Sequence, residues 1–461
     1  MDDRLNNISG KSEYLSAWLD SVTEPSNKVG IATLGCKVNQ YESAALEEDL
    51  QKKDFLLVPF NTIADFYIIN TCTVTAFSAF QVRQLIRRAH RTNPQAKIMV
   101  TGCYAQVASQ EIANLDGVSM VVGNDRKHEI ADLLRSSADL SSSRIFVNDI
   151  FRQNKFYHMP IRKFRGHTRA FLKIQDGCNS FCSYCIVPFA RGNSRSLAPQ
   201  EVFTALAALN SEGYKEIVLT GIHLGTYGYD LQPATDIAQI LEQVCRRQWK
   251  ARIRLSSIEP REINAELLNV IKNNDLLCPH LHIPLQSGDD KILQLMKRDY
   301  NHIFYRNLIE NICSAISDVA IGVDVMVGFP TESEEQFNNT FNLLDSLPVA
   351  YLHVFPYSAR PGTPAQKMQP QITDTVKKER AAILRNLSTQ KREKFALRFL
   401  DKPLKVIVES TRDKKTGLLK GFSQNYLPVL LDGEFSSSVN NLVTIKANKY
   451  LNGKLYGKSA D

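Results

Sequence analysis

Three cysteines lie close together in a segment that could hold a metal centre. The segment Cys178-Asn-Ser-Phe-Cys182-Ser-Tyr-Cys185 has the spacing C-x3-C-x2-C. Thiolates are the soft ligands that iron–sulfur clusters and zinc select. A closed structural site uses four protein ligands, whereas a catalytic metal keeps one position open. Three local thiols therefore predict a metal centre with one coordination position left for another molecule.

Three further cysteines follow predicted strands in the first third of the chain. The strands are Lys28–Thr33, 65–70 and 97–101, and the cysteines are Cys36, Cys72 and Cys103. The helical stretches between them predict crossovers and hence a parallel sheet. Ligands bind beyond the carboxyl ends of parallel strands, so we expect the thiols to converge at one edge. One such cysteine is more simply a core residue, but three at equivalent positions favour a second iron–sulfur site.

From residue 169 the alternation of strands and helices restarts and gives six more predicted strands. They are 169–175, 215–220, 252–256, 280–285, 320–327 and 350–355. Each ends in a loop rich in glycine, proline or polar residues, and the first of these loops is the C-x3-C-x2-C segment. In a βα barrel such loops build the active-site face. Six units predict a partial barrel, whose open side could admit a large substrate.

Three residues in these loops could bind a nucleoside-like cofactor. Gly221 would let its backbone approach a ligand closely, and Glu259 and Gln286 could bind ribose or amino-acid polar groups. Each one alone is more simply a solvated loop residue, so the hypothesis depends on their shared place at strand ends. The other histidines and cysteines of the region are expected to be core, loop or packing residues: His223, His280, His282, His353, Cys245, Cys278 and Cys313.

The composition is that of an ordinary globular chain. It has 461 residues, 43% of them hydrophobic, which allows two to four domains. The formal net charge of +8 suits an anionic partner without naming one. The sequence contains neither an apolar signal core nor a membrane-spanning apolar run. Because a reducing compartment keeps thiols available for metals, we predict a cytoplasmic protein.

Two segments have the character of RNA-binding surfaces. Residues 151–169 hold six Lys or Arg, no Asp or Glu, and four aromatic residues. This combination suits single-stranded RNA, although a basic run is as often only a solvated linker. After a predicted linking helix at 371–398, residues 401–461 hold ten Lys or Arg against six Asp or Glu in short predicted strands. Small basic β-barrels of this kind often bind oligonucleotides.

Together these motifs resemble those of the methylthiotransferase family of radical S-adenosylmethionine (SAM) enzymes, over nearly everything after residue 28. The resemblance implies an auxiliary 4Fe–4S cluster and a second 4Fe–4S cluster that binds SAM. It also implies an RNA-binding β-barrel of the TRAM type at 399–461, in which 421–426 is the most recognisable stretch. The implied cluster ligands are Cys36, Cys72 and Cys103 for the auxiliary cluster, and Cys178, Cys182 and Cys185 for the SAM-binding cluster.

Two stretches, 34–43 and 177–196, resemble the branch of the family that acts on threonylcarbamoyladenosine in tRNA. The isopentenyladenosine branch usually has Gln-Met where Lys37 and Val38 stand, and the branch that modifies a ribosomal-protein aspartate differs after its cysteine. Thr331 departs from the pattern, because glycine is usual there. The implied reaction adds a methylthio group at adenine C2 of position 37. The implied partners are the tRNA anticodon stem-loop, an electron donor and a sulfur source.

Alternatives remain open at this point: the other two branches, or a zinc-stabilised RNA-binding protein without catalysis. The predicted fold class is α/β. The predicted division of the chain is an extension at 1–27, a parallel-sheet domain at 28–150, a basic linker at 151–168, a partial (β/α)6 barrel with its linking helix at 169–398, and a small β-barrel at 399–461.

Overall fold

The computed structural model describes residues 27–136, 144–164 and 166–460. All but the last residue of the predicted extension, 1–27, therefore lies outside the described residues. Along the described chain a parallel sheet with helices is followed by an open βα barrel and then by a closed β-barrel. The predicted α/β fold class is confirmed. No helix of the described residues is long and apolar enough to cross a membrane.

The first unit is a six-stranded sheet, parallel throughout, in the order β2-β1-β3-β4-β5-β6. Its strands are β1 (Lys28–Thr33), β2 (Leu56–Val58), β3 (Phe66–Thr71), β4 (Lys97–Gly102), β5 (Val118–Val122) and β6 (Arg144–Phe146). Its helices are α1 (Lys37–Lys52), α2 (Ala76–Thr92), α3 (Cys103–Val107), α4 (Ser109–Ala113) and α5 (Ile130–Arg135). The central strand β3 is almost entirely buried, as expected where helices cover both faces of a parallel sheet. The three predicted strands are confirmed, and β2, β5 and β6 are additional.

The second unit contains the six predicted barrel strands and a short antiparallel pair. The strands are β7 (Ala170–Lys173), β8 (Gln175–Asp176), β9 (Arg195–Ser196), β10 (Glu216–Thr220), β11 (Arg252–Leu255), β12 (His280–His282), β13 (Ala320–Val327) and β14 (Tyr351–Pro356). The helices are α6 (Val187–Arg191), α7 (Pro199–Ser211), α8 (Ile237–Cys245), α9 (Ala265–Lys272), α10 (Asp290–Leu295), α11 (His302–Ala315), α12 (Glu334–Ser346), α13 (Pro364–Lys367) and α14 (Asp374–Leu397).

These strands form an open barrel rather than a closed one. Two parallel three-stranded segments, β7-β10-β11 and β12-β13-β14, are joined by a parallel bridge between Ser257 and His282. On β13 the residues alternate: Val323 and Val325 are buried in the outer core, whereas Asp324 is partly exposed on the concave face with His282 and His353. We call the space inside this concave face the lumen. The prediction of a partial six-stranded barrel is confirmed.

The third unit is a closed five-stranded barrel in the order β15-β16-β17-β19-β18, and it fits a TRAM-like domain. Its strands are β15 (Pro403–Arg412), β16 (Leu419–Ser423), β17 (Pro428–Leu431), β18 (Leu442–Leu451) and β19 (Lys454–Ser459). The unit attaches to the larger barrel through two buried arginines. Arg252 donates to Phe422 O at 3.0 Å, and Arg254 donates to Gln424 O at 3.0 Å. The buried carboxylate of Glu216 pairs with both guanidinium groups.

The basic segment between the first two units packs against both of them. Tyr41 donates to Met159 O at 2.8 Å, and the backbone N–H of Phe164 donates to the Tyr214 hydroxyl at 2.7 Å. Phe164 is only 3% exposed and its ring packs edge-on against Phe171. The segment is therefore not simply solvated, and Phe164 is a core residue rather than a surface for base stacking.

Thr331, which stands where the family pattern usually has glycine, lies in a turn with φ of +71°. This left-handed region favours glycine, and a β-branched residue there is strained. The turn is held by a hydrogen bond from Thr331 N to Pro370 O at 2.9 Å. Thus the loop keeps a backbone conformation suited to glycine although threonine occupies the position.

Candidate metal centres and the space between them

The first cysteine triad comes together at the carboxyl edge of the N-terminal sheet. Cys36 precedes α1, Cys72 follows β3 and Cys103 begins α3, after the neighbouring strands β1, β3 and β4. Burial raises the pKa of Cys72, and the nearby thiols of Cys103 and Cys36 raise it further. Gly35 has φ of +99°, and a Cβ there would lie 2.8 Å from Cys72 Cβ, so only glycine allows this close approach.

The second triad lies in a loop whose backbone is held on several sides. Cys178 N donates to Gly192 O at 3.0 Å, and Cys185 N donates to Cys182 O at 2.9 Å. Backbone N–H groups also point at two of the sulfur atoms: Ser180 N lies 3.5 Å from Cys178 Sγ and Val187 N lies 3.4 Å from Cys185 Sγ. Such contacts favour the thiolate form that metals bind.

The spacing of the sulfur atoms tests which metal each triad could hold. In the part of the chain that the structure describes, the three sulfur atoms of neither triad all lie within 4.8 Å of one another. One tetrahedral zinc ion with Zn–S bonds of about 2.3 Å needs sulfur atoms about 3.8 Å apart. A cluster of several irons takes more widely spaced thiolates, because each binds a different iron. As they stand, the three thiols of neither triad are spaced to bind a single zinc ion together.

His223 and Glu262 form a charged pair beside Cys178. His223 Nδ1 shares a hydrogen bond of 3.3 Å with Cys178 Sγ, and His223 Nε2 contacts the Glu262 carboxylate. Burial would raise the pKa of Cys178, but the hydrogen bond and charge of His223 outweigh it and lower the pKa. Burial would lower the pKa of His223, but its two partners raise it to about 10. His223 is a loop residue, as expected, yet it is also a direct neighbour of a predicted metal ligand.

Arg298 occupies the corresponding place beside Cys182. Its Nη1 donates to Cys182 Sγ at 3.4 Å and its Nε donates to the Tyr300 hydroxyl at 3.2 Å. The same guanidinium binds the carboxylate of Glu259. The sequence prediction had not identified Arg298, because 116 residues separate it from Cys182 and the fold of the barrel brings them together.

The three predicted SAM contacts lie at the carboxyl ends of three successive barrel strands. Gly221 follows β10 directly, and a Cβ there would lie 2.7 Å from Gln175 Oε1. Glu259 follows β11 and is paired with Arg298. Gln286 follows β12 with φ of +65°, and its backbone N–H donates to Asp324 O at 2.9 Å. All three residues therefore border the same face of the barrel as the C-x3-C-x2-C loop.

Arg191 joins the two triads. It ends α6, the short helix that follows Cys185, and it is 1% exposed. Its Nε donates to Cys103 Sγ at 3.2 Å, and its Nη2 donates to Asn39 Oδ1 at 2.6 Å. One side chain from the barrel thus contacts a thiol of the N-terminal sheet. Sequence reasoning had not identified Arg191 either.

The same guanidinium belongs to a buried ion network. Arg191 Nη1 lies 2.5 Å from Glu42 Oε1, and Glu42 also pairs with Lys127 at 2.5 Å and Lys173 at 2.9 Å. Asp176 pairs with Lys173 at 3.0 Å. Burial would raise the pKa of Asp176, but Lys173 and Arg191 lower it to about 2. Three cations face two carboxylates, so one positive charge remains to balance thiolate charge beside Cys103.

Three basic residues lie close together at the lumen: Lys37, Arg169 and Arg254. Half-buried Lys37 follows Cys36 directly and makes no hydrogen bond or ion pair with any described residue. Burial lowers the pKa of Lys37, and the charges of Arg169 and Arg254 lower it further. Burial lowers the pKa of His280, and the charges of Arg254 and Lys37 lower it further. His280 Nε2 shares a hydrogen bond of 2.8 Å with the Tyr351 hydroxyl.

His282 and His353 share one carboxylate on the lumen wall. His282 Nε2 lies 2.8 Å from Asp324 Oδ1, and His353 Nδ1 lies 3.5 Å from the same oxygen. These two histidines were expected to be core or loop residues. They lie on β12 and β14, the strands on either side of β13, and both pair with Asp324 of β13.

Comparisons with known proteins agree with this arrangement. Residues 28–123 match the family described as "Uncharacterized protein family UPF0004", and residues 172–344 match the radical SAM superfamily. The "Threonylcarbamoyladenosine tRNA methylthiotransferase MtaB" of Aquifex aeolicus is 38% identical over 407 residues, which is 88% of this chain and 97% of the relative. The protein of the same name from Bacillus subtilis is 38% identical over 423 residues, 91% of this chain and 94% of that protein.

Among solved structures, a radical S-adenosylmethionine methyltransferase, TsrM from Kitasatospora setae, with cobalamin and a 4Fe–4S cluster bound, is similar in fold. The match covers 74% of this chain and 77% of that chain, with a TM-score of 0.55 and 14% sequence identity. At this identity the likeness concerns the fold alone.

Proposed function

Because this chain belongs to the family of radical SAM methylthiotransferases, we propose that it adds a methylthio group to C2 of N6-threonylcarbamoyladenosine at position 37 of tRNA. Enzymes of this family use SAM and 4Fe–4S clusters. The observation that carries the proposal is the pair of thiol triads on two adjoining units, joined through Arg191. The reaction takes place in the cytoplasm and also needs an electron donor and a sulfur source.

Each triad has its own role in the proposal. Cys178, Cys182 and Cys185 bind the cluster that holds SAM, since three thiolates leave one coordination position for it. Cys36, Cys72 and Cys103 bind the auxiliary cluster, at which the sulfur is held. Three further residues contact SAM, because they border the same face of the barrel as the C-x3-C-x2-C loop: Gly221, Glu259 and Gln286.

The chain's own residues prepare the two sites. The SAM-binding cluster, when present, supplies the radical chemistry that an unactivated adenine C–H bond requires. His223 and Arg298 hold protons directed at Cys178 and Cys182 Sγ, which stabilises thiolate charge there. Arg191 does the same for Cys103. The lumen between the triads holds the target base, and the buried arginines that attach the C-terminal barrel support its wall.

The charge of the lumen favours threonylcarbamoyladenosine over isopentenyladenosine. The threonylcarbamoyl group carries a carboxylate, whereas the isopentenyl group is neutral and apolar. Lys37 supplies a positive charge next to Cys36 that has no partner among the described residues, whereas the neighbouring Arg169 and Arg254 are paired with Glu216. An anionic substituent is therefore a better match than a neutral one.

The test is the analysis of modified nucleosides in a strain that lacks this protein. We expect its tRNA to lose the methylthio derivative of threonylcarbamoyladenosine and to keep that of isopentenyladenosine, with recovery when the gene is returned. Loss of the isopentenyl derivative, or of a methylthio group on a ribosomal protein, would instead support one of the other branches.

Metal analysis separates the proposal from a zinc-stabilised RNA-binding protein. Anaerobic reconstitution should give a brown protein with about eight irons per chain, from two 4Fe–4S clusters. A colourless protein that contains zinc and no iron would contradict the proposal.

A further inference from the structure

Arg360 is a buried cation that has no partner among the described residues. The residue is 8% exposed, and its guanidinium makes no hydrogen bond or ion pair with any residue that the structure describes. Its Nε and Nη1 atoms are both fully buried. Arginine remains charged in proteins, and a buried charge without a counterion destabilises the fold. A guanidinium in this state points to an anion that binds beside it.

Arg360 lines a cavity of about 680 Å³ between the N-terminal sheet and the barrel. Residues that directly follow predicted cluster ligands form part of its wall: Thr73 after Cys72, Tyr104 after Cys103, and Ile186 after Cys185. The cavity therefore borders both triads. The hydroxyl oxygen of Thr73 is also buried and has no hydrogen-bond partner among the described residues. Two polar groups without partners thus line one cavity.

The remaining charged groups of the cavity do not neutralise Arg360. Glu111 accepts a hydrogen bond of 2.6 Å from the Tyr104 hydroxyl and lies 3.6 Å from Arg83 Nη1. The carboxylate is therefore already shared between two other residues, and Arg83 has its own counterion. The cavity keeps one positive charge that no carboxylate among the described residues balances.

Exposed aromatic rings adjoin the same cavity. Phe189 lines it and is 40% exposed. Phe77 and Phe80, which flank the lining residue Ala79 on α2, are exposed and stack on each other at 6.2 Å. Protein surfaces that bind single-stranded RNA combine cations with exposed aromatic rings, because the phosphates pair with the cations and the bases stack on the rings.

We propose that Arg360 and Thr73 form a phosphate subsite that binds a phosphodiester of the RNA strand next to the target base. A guanidinium donates charge-assisted hydrogen bonds to phosphate oxygens, and the threonine hydroxyl adds one donor. The RNA strand then enters the space between the triads from the α2 side. This inference rests on the proposed tRNA substrate.

The test measures RNA and SAM binding separately with the reconstituted full chain. The variants are Arg360→Gln and Thr73→Val, and Arg83→Gln is the matched control, because Arg83 lines the same cavity but is paired with Glu111. The RNA is an anticodon stem-loop that contains threonylcarbamoyladenosine, titrated at several salt concentrations. For Arg360→Gln we expect affinity about tenfold lower, with a slope of log K against log salt reduced by about one. Thr73→Val should lower affinity less, and Arg83→Gln should leave it near wild type.

Three results would overturn the subsite. The first is that Arg360→Gln binds RNA with the affinity of the wild type and with the same slope of log K against log salt. Another is a loss of SAM affinity with unchanged RNA affinity, because the anion would then be the SAM carboxylate. The third is a melting temperature that is much lower than that of the wild type in both Arg360→Gln and Arg360→Lys. Removal of an unpaired charge should not destabilise the fold, so this result would show that Arg360 has a structural role. Failure of the wild-type protein to methylthiolate this stem-loop would contradict the proposed function instead.

Discussion

Arg191 Nε lies 3.2 Å from Cys103 Sγ, although Arg191 belongs to the barrel and Cys103 to the N-terminal sheet. The helix that carries Arg191 begins two residues after Cys185. The guanidinium is also bound by Glu42 and Asn39, both in α1, which follows Cys36. A chain of direct contacts therefore fixes the relative position of the two triads. The proposed reaction depends on such fixed positions, because the target base must reach both triads.

Replacement of Arg191 should loosen this junction. For Arg191→Met we expect a fall of about 3–5 kcal/mol in unfolding free energy, because Glu42 and Asp176 remain buried with fewer partners. Iron content should fall toward that of one cluster, since Cys103 loses its charged hydrogen-bond donor. Denaturation and iron analysis measure these effects. Arg246→Met is the control, because Arg246 is exposed and its surface pair with Glu242 contributes little. Equal stability of the two variants would contradict this role.

Glu216 should make attachment of the C-terminal barrel sensitive to acid. Burial would raise its pKa, but Arg254, Arg252 and Arg169 lower it to about 2. A carboxyl group with a lowered native pKa stabilises the fold above its unfolded pKa of about 4.3, and this contribution is lost as the pH falls toward 2. The contribution is about 3 kcal/mol at neutral pH.

For Glu216→Gln we therefore expect a marked loss of stability at pH 7 that shrinks as the pH falls from about 4 to 2. Urea denaturation at pH 7 and pH 3 measures it, with Glu242→Gln as the exposed control. The same loss at both pH values would mean that packing, rather than charge, explains the effect.

Lys37 should contribute to substrate choice. Its ammonium group has no counterion among the residues that the structure describes, and a charge-assisted hydrogen bond to the threonyl carboxylate contributes about 1.5–3 kcal/mol. For Lys37→Met we expect kcat/KM for methylthiolation of the threonylcarbamoyladenosine stem-loop to fall by about 10- to 100-fold. Iron content and RNA-independent formation of 5′-deoxyadenosine should match wild type. Lys52→Met, at an exposed position of α1, is the control.

An unchanged kcat/KM of Lys37→Met would mean that another group binds the carboxylate. A fall in iron content would mean that the residue supports Cys36 rather than the substrate.

Local sequence patterns predicted the two triads because each predicted ligand lies shortly after a strand or in one loop. The convergence of Cys36, Cys72 and Cys103 follows from the parallel order of β1, β3 and β4. The apolar run Val118–Val122 could have been predicted as a strand from its composition. Local patterns do not give the residues that contact the sulfur atoms, since Arg191 and Arg298 are 88 and 116 residues from their cysteines.

The basic segment and Arg360 illustrate the same limit. Phe164 has the sequence context of a surface aromatic residue, and tertiary contacts, among them those with Tyr214, Phe171 and Tyr41, bury it. Arg360 stands in a proline- and glycine-rich loop, a context that usually indicates exposure. Its burial depends on the fit between the barrel and the N-terminal sheet, which the local sequence does not encode.

The division of labour between the triads is the central claim, and Cys72→Ala tests it most directly. With anaerobically reconstituted protein, SAM, reductant and the threonylcarbamoyladenosine stem-loop, 5′-deoxyadenosine and the methylthiolated nucleoside are measured in one reaction. Cys245→Ala is the control, because Cys245 belongs to neither triad, and it should form both products. Cys182→Ala should form neither. Cys72→Ala should still form 5′-deoxyadenosine but no methylthiolated nucleoside; methylthiolation by this variant at the wild-type rate would contradict the account.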